Sequence, residues 1–142
     1  MNKFLAAGAA VLFSLMAAAN GSVGAQTIQP PQDAFLESIQ ASIVRTVGAQ
    51  DKTVELSIVD NVFTVSRINS NMNESTHGGR NNEASAIGSV VSKAIVGKSE
   101  FQNIITIRVQ YVTRYGSTTN IKVIDTVEFR KDPNGAFQFH TT

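Results

Sequence analysis

The chain has 142 residues with 12 basic and 11 acidic side chains, two His, no Cys and no Trp. Near-neutral charge gives no bulk attraction to nucleic acid, and the absence of Cys removes disulfides, Cys-ligated zinc, iron–sulfur clusters and thiol nucleophiles together. Stability must therefore come from packing, and the length suits one core.

Lys3 is followed by an uncharged run from Phe4 to Ala19 rich in Ala, Leu, Phe and Val, then by small residues ending at Val23, Gly24 and Ala25. This is the layout of a cleavable signal peptide, residues 1–25, with the cut before Gln26 and a second candidate cut after Ala19. Spanning a bilayer core of roughly 30 Å takes about 20 apolar residues, and Asn20, Gly21 and Ser22 end the run too early. The expectation is a periplasmic or secreted protein with no transmembrane segment once processed. Lys3 is the only charge removed, so the mature chain has equal numbers of acids and bases.

In the mature chain, Pro30 and Pro31 predict an extended leader over 26–32, with a single domain over 33–142 and Asp33 as the first helix cap. Phe35, Leu36, Ile39, Ile43, Val44 and Val47 recur at helical spacing up to Gly48. Val54, Leu56 and Ile58 alternate with polar residues, and Asp60-Asn61 separates them from Val62–Ile68, which predicts a hairpin. Asn69–Asn82 is polar apart from Met72 and reads as a long loop. Asn82 is then the expected cap of a second helix running through Ala84, Ile87, Val91 and Ile95 to Gly97, where Ala84 and Gly88 permit close approach to a sheet. Ile105, Ile107, Val109 and Tyr111 alternate with Thr106, Arg108 and Gln110 as a half-buried strand. Ile121, Val123, Val127 and Phe129 predict the next, and Asp132-Pro133-Asn134-Gly135 is a strong turn before Phe137 and Phe139.

The order α-β-β-α-β-β-β predicts an α+β fold with two helices on one face of a mostly antiparallel sheet of about five strands. The first five elements, Asp33 to Val112, resemble in their order the BON module, a small bacterial envelope domain associated with phospholipid surfaces; the long loop after Asn69 departs from it. A helix wrapped by a curved sheet ending in long antiparallel strands is also similar to the cystatin-like cone fold. The first resemblance implies an envelope or phospholipid-associated role.

Candidate chemistry is sparse. His77 and Arg80 lie in the loop ahead of the second helix, where backbone donors and the Arg80 charge suit an anion; the alternative is a solvated connection. Asn73-Glu74-Ser75 matches a glycosylation sequon. His77 and His140 have no paired ligand at a fixed offset, so neither a metal nor a cofactor is expected. No nucleophile elbow, phosphate-binding loop or dinucleotide fingerprint is present. Asp125 falls on the apolar side of its strand with Val123 and Val127. It is either a buried acid paired with Arg108 or Arg67, a candidate base in a pocket with Tyr111 or an Arg at its mouth, or it is turned outward by a β-bulge that brings Ile124 in. Arg108, Arg114, Lys122, Arg130 and Lys131 form a basic set on the last strands, open to a partner or simply solvated. The expectation is a non-enzymatic binding or accessory module that binds a partner protein, an envelope surface or a small ligand, with a small enzyme or ligand pocket around Asp125 as the alternative. Edge strands leave a homodimer open.

Overall fold

A computed structural model describes residues 30–116 and 120–140. The expected signal peptide and its cleavage site lie outside the described residues. The elements are α1 (Pro30–Val47), β1 (Val54–Val59), β2 (Val62–Ile68), α2 (His77–Ile95), β3 (Thr106–Tyr115), β4 (Asn120–Lys131) and β5 (Phe137–His140), with short 3-10 turns at Asp51–Thr53, Asn71–Glu74 and Ser99–Phe101. The fold is the expected α+β arrangement: five strands in spatial order β1-β2-β3-β4-β5. Every neighbouring pair is antiparallel except β2 and β3, which run parallel. A parallel pair needs a crossover, and α2 is that crossover.

Helix α1 starts at Pro30, three residues before the expected cap at Asp33. Proline is at home in a first helical turn, where backbone N–H groups have no intrahelical partner and its fixed φ already suits the helix. The helix buries Leu36, Ile39 and Ile43 and ends before Gly48 at φ +67°. Asp60, at φ 53°, makes the two-residue turn between Val59 and its partner Val62.

The larger revision concerns the polar segment Asn69–Asn82. It is mostly folded. Asn69 adopts φ 48°, the Ser70 hydroxyl accepts from Met72 N at 3.1 Å, and Asn73 Nδ2 donates to Val112 O at 3.0 Å and Thr113 Oγ1 at 3.1 Å. Thr76, not Asn82, caps α2, its Oγ1 accepting from Gly79 N at 3.1 Å. The cap lies two turns earlier than expected because a polar face at His77–Asn82 hides the helical period from a hydrophobic-pattern reading.

One core lies between the helices and the sheet, built on Ile39, Ile43, Phe63, Val65, Ile87, Val91, Ile107 and Val109. Helix α2 comes close enough to β4 that a Cβ on Gly88 would meet the Phe129 ring at 2.9 Å. Ile105 precedes β3 and is exposed, its N–H bonded to Asn61 O.

In β4 the pairing shifts by one residue between Tyr111↔Asp125 and Val112↔Val123, leaving Ile124 as the extra residue of a bulge. Ile124 packs partly against the core. The bulge was expected to turn Asp125 out. It instead reverses the face of the strand before it: Val123 and Ile121, expected inside with Val127 and Phe129, lie 51% and 48% exposed on the uncovered face, and Asp125 stays on the helix side opposite buried Tyr111. Asp132 Oδ1 accepts from Asn134 N and Ala136 N at 2.8 and 3.0 Å, and Gly135 takes φ +86° in the β4–β5 turn.

Candidate functional site

Strand register sets Val54, Arg67, Tyr111 and Asp125 in one transverse row across β1, β2, β3 and β4. Over that row runs the first half of α2, where His77, Arg80 and Glu83 recur every three residues and so share one face. Side chains far apart in the sequence thereby meet beneath a helix start.

Arg80 Nε donates to Asp125 Oδ2 at 2.7 Å, with the two side chains 12% and 14% exposed. Its Nη1 donates to Met72 O and Ser75 O, tying the preceding turn to the helix. His77 Nδ1 lies 2.7 Å from the same Asp125 oxygen, and its ring is 67% exposed. Asp125 Oδ1 accepts from Thr126 N at 2.9 Å. Burial alone would raise the Asp125 pKa, but the hydrogen bonds from Arg80, His77 and the Thr126 N–H outweigh it and hold the acid below its ordinary value.

Beside this pair, Arg67 Nε donates to Glu83 Oε1 at 2.8 Å, Nη1 to Thr53 Oγ1 at 3.0 Å and Nη2 to Ser70 Oγ at 3.0 Å. Tyr111 is fully buried, and its hydroxyl donates to Arg80 O at 3.0 Å. Burial, followed by the nearby Glu83 carboxylate, pushes its phenol well above the usual range. Two acids face two arginines here, each charge desolvated and hydrogen-bonded as burial requires.

Of the residues singled out from the sequence, His77, Arg80, Tyr111 and Asp125 come together. Arg108 does not: it lies on the uncovered face, with Nε 2.8 Å from Glu128 Oε1, and Arg130 Nη2 completes that group at 3.4 Å from Oε2. Asp125 is thus paired neither with Arg108 nor with Arg67 but with Arg80. Tyr111 sits inside the core rather than at a pocket mouth. Arg80, expected as a free charge for an anion, is committed to Asp125 and two carbonyls. Glu83 escaped the sequence reading, although the spacing His77-x-x-Arg80-x-x-Glu83 marks one helix face once the helix is started at Thr76.

A polar cavity of about 300 Å³ opens on the other side of Arg67, lined by Gly48, Thr53, Asn69 and Ser70 among others. Among the described residues no group of three His, Cys, Asp or Glu stands ready for a metal ion, and no helix is long and apolar enough to cross a membrane. No family model, curated protein or solved structure matches the chain. The arrangement itself is that of a clamp, an ionised acid and its counter-charges locking the start of α2 onto the sheet.

Proposed function

We propose that the chain is an exported, non-enzymatic binding or accessory module that engages a partner protein along the outer edge of β4. Support for export is the charged start, apolar run and small-residue end of residues 1–25. Support for a non-catalytic role is the engagement of Asp125 by Arg80, His77 and the Thr126 N–H; a carboxylate held ionised by such partners is a weak base as well as a poor proton donor.

The observation that carries the binding reading is the mismatch in strand length. Strand β5 pairs only with Glu128–Lys131, so among the described residues Asn120–Val127 has no neighbouring strand on that side. Unpaired N–H and C=O groups on a strand edge are a template for an added strand. Ile121 and Val123 supply alternate apolar side chains along this edge, which an extended peptide would cover. Exposed Lys122 between them sets like charges together in the self-pairing centred on it, which favours a strand of a different protein as the occupant.

Replacing Val123 with a photo-crosslinking amino acid in the full chain, expressed in a bacterium that exports it, tests this. The reading expects a crosslink to an extended segment of another protein, from a chain beginning at Gln26, and none from the same group placed at Ser66 in β2, a strand paired on both sides. A crosslink only between copies, or equal products from both positions, contradicts it.

A further inference from the structure

At the far end of α2 the helix C-terminus, the Ser99–Phe101 turn and the β4–β5 turn border a half-open pocket of about 400 Å³. That volume falls in the range of small-molecule sites, about 300–1,000 Å³. Its apolar lining includes Ile95 and Phe101, both buried, and half-buried Phe137. Its charged lining is all of one sign. Lys98 and Lys131 both contribute to the wall, and no acid does.

Neither lysine forms a carboxylate ion pair among the described residues. Lys98 Nζ stands over the Phe35 ring at 5.3 Å, and Phe35 in turn stacks at 5.2 Å on Phe101. Lys131 Nζ stands over Phe137 at 5.5 Å and donates one bond, to Gln102 O at 3.1 Å, leaving two of its three donors. Of the nearby acids, Asp132 is occupied by the N–H groups of its turn, and Glu100, which accepts from Ser99 Oγ and lies within electrostatic reach of Lys98, is not part of the wall. An anion here faces the negative end of the helix, which is satisfied in part by the N–H groups of Val96 and Lys98 bonded to Ser92 O and Ile95 O, and the two lysine charges act against it. Each ammonium group rests on an aromatic ring, and of the two rings Phe137 also lines the hollow; a ligand that meets the lysines and the apolar part of the lining carries one anionic head and one apolar body.

We propose that this pocket binds a small amphipathic carboxylate, its chain against Ile95, Phe101 and Phe137 and its head taken by Lys98 and Lys131. The proposal is independent of the β4 edge. Decanoate below its micelle concentration is the probe, with amide shifts of the isotope-labelled exported protein as the readout and decanol as the uncharged control of equal chain length. Saturable shifts at Gly97, Gln102 and Gly135 are expected, with at least tenfold weaker binding for decanol and for the double variant Lys98→Met, Lys131→Met, which keeps the aliphatic stems. Absence of saturable shifts, shifts elsewhere, or equal affinity for decanol overturns it. Should the double variant not fold, the decanoate and decanol comparison on the unaltered protein decides alone.

Discussion

Arg80 and Asp125, forty-five positions apart, meet at 2.7 Å and join the first turn of α2 to the strand residue beside the β4 bulge. The bulge is what permits this. It leaves Asp125 on the helix side at the end of the apolar stripe Phe129–Val127, and past Ile124 the strand turns Val123 and Ile121 to solvent. The core thus ends in a charged row, and the sheet continues past it as a hairpin with exposed Tyr115, Ile121 and Val123.

The acid limb of stability follows from that row. The pKa values of Asp125, Glu128 and Glu55 are all lowered: desolvation is the largest single effect on Asp125 and Glu128 and is outweighed by their hydrogen-bonding and charged partners together, whereas at Glu55 the hydrogen bond from Arg114 is the largest effect. A lowered folded-state pKa means that the unfolded chain takes up the proton first as pH falls, so the contribution is complete above the ordinary carboxylate range and is lost as pH drops through the folded values. Urea unfolding between pH 7 and pH 2 should show stability declining below about pH 4.5. The decline should be shallower in Asp125→Asn; an unchanged acid slope would remove Asp125 from the explanation.

Arg67 and Glu83 are buried enough that losing one partner strands the other. Glu83→Gln should destabilise the fold by about 3 kcal/mol, whereas the double change Arg67→Met, Glu83→Leu should recover most of it, since apolar replacement of a buried pair is often near neutral. Equilibrium denaturation of both variants separates the cost of an orphaned charge from the worth of the pair.

Gly88 poses a contest of signs. Alanine in mid-helix is favoured over glycine by about 1 kcal/mol, yet the new methyl would stand 2.9–3.1 Å from three carbons of the Phe129 ring. Overpacking of that kind costs about 1–3 kcal/mol, so Gly88→Ala should be destabilising on balance. Adding Phe129→Leu should restore part of the loss, and a Gly88→Ala variant with raised thermal midpoint would show that α2 has room to move.

The fold was legible wherever apolar period and turn chemistry agreed: the hairpin at Asp60-Asn61, the helix stops at Gly48 and Gly97, the close approach at Gly88, and the turn at Asp132–Gly135. What escaped has physical reasons. The start of α2 is governed by a Thr76 cap and a polar face, which hydrophobic periodicity does not register. The bulge at Ile124 has no sequence mark of its own, and it inverts the inside and outside of Ile121 and Val123. Asp125 stood out as an acid on an apolar face, but its partner could be named only once His77–Glu83 was known to be helical.

The most direct test of the account is a double-mutant cycle on Arg80→Met and Asp125→Asn, read by urea unfolding at neutral pH. If the cluster is a clamp between helix and sheet, the cycle should return a coupling of about 1–3 kcal/mol, within the range found for residues in one polar network. A coupling near zero, with Asp125→Asn as stable as the natural chain, would mean that the acid is not committed to the fold, and the case for a non-catalytic module would fall with it.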